Sequence, residues 1–205
     1  EIVNALVGQL TNQVLGSGGL TGVSQPATSG GSSYLDQISA SQAASTNSLS
    51  TSFAQTITAQ ITQLQQFQTE WGTINAAAQS AEAALTNSSC YPNANATIIN
   101  TVEPVIVQAA TELSDANSSI NSLNTIQTEV NSSANSNSTS GITQASTDYS
   151  TLLSSATLPS AADIQNAMTQ STDTGTSTTS PSLYSQMKQI VAQATSCQIP
   201  GNSNQ

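Results

Sequence analysis

Three features of the sequence predict an all-α fold. Apolar residues recur at helical spacing through two long stretches, strand-like alternation appears nowhere, and Pro and Gly are nearly missing from the longest stretch. The predicted architecture is a long antiparallel, coiled-coil-like helical hairpin. Three or four shorter helices pack against it to make an elongated bundle.

The longest stripe runs Phe53, Ile57, Ile61, Leu64, Phe67, Trp71, Ile74, Ala78, Ala81 and Leu85, always by three or four residues. Its mean step of about 3.6 matches a straight or weakly supercoiled helix. No Pro interrupts Ser33 to Tyr91, and Gly72 is the only Gly there. A helix of about 50 residues would be about 75 Å long, natural for a coiled coil and unusual in a compact globule. The stripe ends in small residues, Ala76, Ala77, Ala78, Ala81, Ala83 and Ala84. These predict a closer approach of helices there. Cys90, Tyr91 and Pro92 break the helix.

The second long stripe runs Ile99, Val102, Ile106, Ala109, Leu113, Ala116, Ile120, Leu123, Ile126 and Val130. Steps averaging about 3.4 are close to a heptad. Pro104 is expected in its first turn, where a missing amide costs little. About ten connecting residues between the two stripes imply an antiparallel pair. Asn131 to Gly141 is polar and reads as a mobile turn.

Shorter elements follow. Ile142, Ala145, Tyr149, Leu152 and Ala156 mark a helix that stops before Pro159. Ser160 and Asp163 form a capping-box pattern ahead of Ile164 and Met168. Ser180 reads as an N-cap with Pro181 at the first helical position, opening a helix through Leu183, Met187, Ile190, Ala194 and Cys197. At the other end, Val3, Leu6, Val7, Leu10 and Val14 give an amphipathic helix over 1–15. A Gly/Ser/Thr-rich linker over 16–33 joins it to a helical-bundle domain over 34–205.

Composition narrows the function. The 205 residues contain 11 acids and one base, Lys188, with no His, for a net charge of −10. Charged residues are 6% of the chain and aromatics 3%, while apolar residues reach 36%. One lysine cannot neutralise a row of phosphates, so nucleic-acid binding is not expected. The same shortage argues against anionic membrane headgroups, and no apolar run is long enough to span a bilayer. The chain starts at Glu1 without an initiator Met, which is expected of a mature exported protein. Cys90 and Cys197 lack metal-site spacing and are expected to form one disulfide in an oxidising, extracellular setting.

Catalysis is not expected. Without His, the Ser-His-Asp and Cys-His arrangements and the usual zinc sites cannot form. Glu112 and Asp115 lie one turn apart but read as a solvated face. Ser185 and Lys188 share Ser-x-x-Lys spacing without the motifs that normally accompany it. No phosphate or dinucleotide loop is present, so no cofactor or metal is expected. Phe67 and Trp71 read as core rather than as a ligand wall. Five sequons, at Asn87, Asn95, Asn117, Asn131 and Asn137, are candidate N-glycosylation sites, although the Asn, Ser and Thr content alone would produce about as many.

The expectation is a secreted, non-catalytic structural or cell-surface protein, such as a self-associating subunit of a filament or surface layer. Two alternatives accompany it. In composition the chain is similar to fungal secreted helical wall proteins that bind lipids or hydrophobic surfaces, which implies a carrier for an apolar ligand. Its long hairpin is similar in outline to pilus- or secretion-associated adhesins.

Overall fold

The computed structural model describes residues 31–136, 139–155, 158–173 and 181–197, with backbone alone for 31–45 and 139. Its elements are α1 (Gly31–Asn87), α2 (Ala94–Thr97), a π-helical turn (Ile98–Val102), α3 (Glu103–Ser136), α4 (Thr139–Leu153), α5 (Ala161–Ser171) and α6 (Leu183–Ser196). No strand occurs among the described residues. The fold is all-α, as the periodicity predicts. The helix expected over 1–15 and most of the linker over 16–33 lie outside the described residues. The last three linker residues, Gly31 to Ser33, already belong to α1.

α1 is continuous for 57 residues because nothing in it breaks a helix. A Cβ placed on Gly72 would meet no atom within 4 Å, so this glycine is on the open side and serves no close contact. Thr46, Ser50, Phe53, Ile57, Leu64, Phe67, Trp71, Ile74, Ala78, Ala81 and Leu85 are buried. These positions alternate steps of three and four, with the place between Ile57 and Leu64 falling to Gln60. Ile61, expected there, is half-buried beside it. The period is therefore the heptad value rather than 3.6.

The second long helix departs further from expectation. It begins at Ala94, and α2, the π turn and α3 follow without a break. Residues 88–93 make the connection, fewer than the ten expected. Asn93 enters the helix in the left-handed region at φ 57°, a conformation that Asn tolerates better than most residues. Pro104 is not in a first turn but ten residues inside the helical run. Its ring would collide with the carbonyl four residues back in a regular helix. The π turn at Ile98–Val102 ends just ahead of it and widens the backbone there.

That turn also changes the buried face. Val102, Val105, Ala109, Ala116, Ser119, Leu123, Ile126, Val130 and Ser133 are buried, whereas Ile106 and Ile120 are only half-buried and Ile99 is 59% exposed. The spacing again alternates three and four, with Glu112 in the place between Ala109 and Ala116. Polar residues on the seam, at Glu112, Ser119 and Ser133, hid this register from an apolar count. The polar stretch expected as a mobile turn is mostly helix. α3 runs to Ser136 and α4 starts at Thr139.

The chain divides into two compact units. Unit 1 holds residues up to Gln60 together with Ser122–Ser155. Its buried residues include Phe53, Ile57, Leu123, Ile126, Val130, Ile142, Ala145, Tyr149 and Leu152. Phe53 meets Tyr149 edge to face at 5.3 Å, and Gln127 Nε2 donates to Thr58 Oγ1 at 2.8 Å. Gly141 marks a close approach: a Cβ on it would lie 1.9 Å from Ser133 Oγ and 3.1 Å from Ser133 Cβ, so the Ser133 side chain would have to shift.

Unit 2 holds Ile61–Asn121 and residues from Ala156 onward. One cluster joins Phe67, Trp71, Ile74, Ala78, Ala81 and Leu85 of α1 to Val102, Val105, Ala109 and Ala116, to Ala167 of α5, and to Met187, Ile190 and Ala194 of α6. Phe67 and Trp71 are core, packed edge to face at 6.2 Å. Gln68 Nε2 donates to Asn117 Oδ1 at 3.1 Å.

The short helices are set by their caps. Ser160 and Asp163 form the expected capping box: Ser160 Oγ accepts from Asp163 N–H at 3.2 Å, and Ser160 N–H donates to Asp163 Oδ2 at 2.8 Å. The N-cap of α6 is Ser182, not Ser180, so Pro181 precedes the cap instead of following it. Ser182 Oγ accepts from Ser185 N–H at 3.2 Å and donates to the Thr172 carbonyl at 2.5 Å. The second bond ties the cap to the end of α5, which a local cap rule does not foresee.

Candidate functional site

The chemistry-bearing residues of unit 2 gather around α6. Its N-terminal half carries Tyr184, Ser185 and Lys188, and its C-terminal end meets Cys197. Between α6 and residues 73–80 of α1 lies an open groove of about 560 Å³. Thr73, Ala76, Ala77 and Ser80 form one side, and Tyr184, Lys188, Val191 and Ala192 the other. The small residues of α1 leave this space, while the larger side chains of the same helix point into the core.

The chain's single base is committed to an ion pair. Lys188 Nζ donates to Asp173 Oδ2 at 2.6 Å, with both side chains about half exposed. It also sits 5.4 Å from the Tyr184 ring centroid. The hydrogen bond to Asp173, its charge, and then Tyr184 raise the Lys188 pKa. Ser185 is buried and donates to Asp173 Oδ1 at 3.4 Å. Asp173 thus stands between the two members of the Ser-x-x-Lys pattern. Both therefore bond to one carboxylate, which anchors the start of α6.

A second anchor is buried nearby. Ser171 of α5 donates through its hydroxyl to Glu70 Oε2 of α1, and to the Met168 carbonyl at 3.1 Å. Glu112, expected on a solvated face, instead occupies the α3 seam. Burial, then the charges of Asp163 and Asp115, raise its pKa, and a hydrogen bond with Gln108 opposes this. The capping-box bonds from Ser160 lower that of Asp163.

At the far end of α6, Cys90 and Cys197 are joined, with sulfurs 2.06 Å apart across 107 residues of sequence. Ser88 organises the junction: its Oγ donates to the Ala194 carbonyl at 3.3 Å, accepts from Tyr91 N–H at 3.2 Å, and lies 3.2 Å from Cys197 Sγ. Tyr91 Oη adds a bond to Gln193 Oε1 at 3.3 Å. The C-terminal helix is therefore pinned to the segment that links α1 to α2.

The five sequons do not converge. Asn87 is exposed at the end of α1, where its Nδ2 donates to the Ala83 carbonyl at 2.8 Å. Asn95 is exposed on α2, and Asn117 is exposed on α3 with its Oδ1 engaged by Gln68. Asn131, expected in or beside a turn, lies exposed within α3. Asn137 is outside the described residues. Among the described residues there is no cluster of three or more His, Cys, Asp or Glu fit to hold a metal ion. No described helix is long and apolar enough to cross a membrane.

Sequence reasoning missed Asp173, 15 residues before Lys188, and Glu70, 101 residues before Ser171. No protein-family model, curated protein or solved structure matches this chain.

Proposed function

We propose that this protein is a non-catalytic component of an extracellular or cell-surface structure, associating with copies of itself or with other surface proteins through non-ionic contacts. The observation that carries this reading is how the exposed helix faces use their hydroxyl groups. Thr51, Thr56, Thr58, Thr69, Thr73, Ser80 and Thr86 of α1 each donate to the carbonyl four residues back. Thr111, Thr128, Thr147, Thr151, Thr169 and Thr195 do the same on later helices.

Such back-bonding turns the hydroxyl proton toward the helix and leaves the threonine methyl facing outward. With so few ions, the surface is a mosaic of methyls, hydroxyl oxygens and carboxamides. Contacts made by such a surface change little with salt, because few charges are screened. The disulfide supports an oxidising location. Within unit 2, the short connection at 88–93 supports reading its two long helical segments as the arms of an antiparallel hairpin.

The test is assembly measured by light scattering and electron microscopy over a concentration series, repeated from about 0.01 M to about 1 M salt. The proposal expects concentration-dependent particles whose extent is nearly independent of salt. A protein that stays monomeric throughout refutes self-association, the part of the proposal this series tests. The second reading, a carrier of an apolar ligand, rests on the groove between α1 and α6. It expects a monomer that copurifies with lipid detectable by mass spectrometry, and loss of that lipid on Ala192→Trp.

A further inference from the structure

We propose that the Cys90–Cys197 disulfide is a site of thiol–disulfide exchange, at which a small-molecule thiol couples to Cys90 and releases Cys197 toward Ser88. Two observations carry this. Both cysteines are exposed, Cys90 in the segment that links α1 to α2 and Cys197 at the C-terminal cap of α6. A hydroxyl lies against the bond: Ser88 Oγ is 3.2 Å from Cys197 Sγ and 3.6 Å from Cys90 Sγ.

Exposure decides whether a nucleophile can reach the bond. Exchange requires a thiolate to arrive at one of the two sulfurs, which a buried disulfide permits only after unfolding. At this junction the sulfurs are reached without opening the core. The attacking sulfur must belong to another molecule, because the chain has two cysteines and both are in this bond. The co-reactant is therefore a free thiol from outside.

Ser88 decides which sulfur leaves. Attack on Cys90 forms a bond between the incoming sulfur and Cys90 Sγ and breaks the bond to Cys197. The bonding pair departs with Cys197 Sγ as a thiolate. In the closed form the Ser88 hydroxyl donates to the Ala194 carbonyl at 3.3 Å, and turning its proton lets it donate to that sulfur instead. A donor in contact stabilises the thiolate and makes it the faster leaving group. Cys90 Sγ is farther from the same hydroxyl and gains less from it. The carbonyl end of α6 opposes negative charge at Cys197, but an exposed helix end acts more weakly than a hydroxyl in contact. The thiolate then takes a proton from solvent, replacing the one the incoming thiol gave up. As a thiol it has an acceptor in the Ala194 carbonyl, 3.4 Å away.

The opened junction stays assembled, so the step is reversible. Tyr91 Oη still bonds to Gln193 Oε1, and Ala194 stays in the unit 2 core. Cys197 is thereby kept beside the mixed disulfide at Cys90 and can attack it to restore the original bond. The site holds the small thiol only while that thiol is in excess.

The experiment treats the full oxidised chain with reduced glutathione, stops the reaction with N-ethylmaleimide, and maps both cysteines by mass spectrometry. The first product is expected to carry glutathione on Cys90 and maleimide on Cys197, by about tenfold over the reverse. The cleavage rate should follow the glutathione thiolate concentration and stay unchanged in urea below the unfolding transition. Ser88→Ala should slow cleavage by about fivefold and erase the preference, while Ser88→Thr keeps both. Tyr91→Phe loosens the junction without removing the hydroxyl and should leave the preference intact. Equal labelling of the two cysteines, or glutathione mainly on Cys197, overturns the proposal. So does cleavage that begins only when urea unfolds the chain, or a Ser88→Ala variant that reacts like wild type.

Discussion

Reduction of the Cys90–Cys197 bond should weaken the fold by a large and calculable amount. The bond joins residues 107 apart. In the chain-entropy model, closing a loop of that length removes about 4.7 kcal/mol of freedom from the unfolded chain at 25 °C. The folded ends need little to hold them in place. Ser88, Tyr91, Gln193 and Ala194 remain bonded across the junction without the sulfurs, and Ala194 stays in the core. The perturbation therefore acts mainly on the unfolded state. The assay is urea unfolding of the wild type and the Cys90→Ser/Cys197→Ser double variant, followed by fluorescence of Trp71, which is 3% exposed in the unit 2 cluster. We expect a loss of about 3–5 kcal/mol with native fluorescence retained in the absence of urea. A loss under about 1 kcal/mol would refute the reasoning, because it would mean the unfolded chain is already constrained where the bond closes it.

Two further outcomes test individual contacts. Gly141→Ala should destabilise unit 1 by about 1–2 kcal/mol, although alanine is favoured in a helix by about 1 kcal/mol, because the new Cβ would fall 1.9 Å from Ser133 Oγ. Denaturant unfolding measures it, and adding Ser133→Ala should restore part of the loss. Ser160→Ala should cost about 1 kcal/mol by removing the α5 cap. The Asp163 side of that cap has a lowered pKa, so its support is present above the ordinary carboxylate value and is lost as pH falls through the lowered one. A cap contribution unchanged in strong acid would contradict this assignment.

The sequence made the helices and the disulfide legible, but not the seams. Burying apolar side chains sets helix periodicity, so α1 and α3 could be read from Phe53 to Val130. The register could not, because neighbouring residues compete for one place: Gln60 with Ile61, Val105 with Ile106, Ser119 with Ile120. In each pair the more polar or smaller residue takes the heptad place, while the larger aliphatic neighbour is half-buried beside it. The polar run after Asn131 was misread for a related reason. Ser133 and Gly141 are small enough to let α3 and α4 approach, and composition alone makes such residues look like a loop. The candidate groove was less legible still, because the Lys188–Asp173 contact depends on how α5 and α6 meet, which no local pattern encodes.

The π turn raises the question of whether Pro104 imposes it or the core requires it. Tyr91, Ala94 and Ile98 pack against the unit 2 cluster, followed by Val102, Val105 and Ala109. The steps between these positions are three, four, four, three and four. A strict heptad would place 101, not 102, after Ile98. One residue has therefore been inserted between Ile98 and Val102, which is what a π turn does to a helix. Tertiary packing on both sides demands that insertion, and Pro104 is tolerated because the turn is already wide. Proline inside a regular helix costs about 3 kcal/mol relative to alanine. Pro104→Ala should then stabilise the protein by well under about 1 kcal/mol in urea unfolding, because the π turn has already relieved the clash. The new amide should also exchange with solvent faster than its helical neighbours in hydrogen-exchange measurements, since the widened turn offers it no standard acceptor. A gain approaching about 3 kcal/mol with a slowly exchanging amide at 104 would assign the turn to the proline alone. The seam upstream would then have to shift by one residue, turning Thr101 inward in place of Val102.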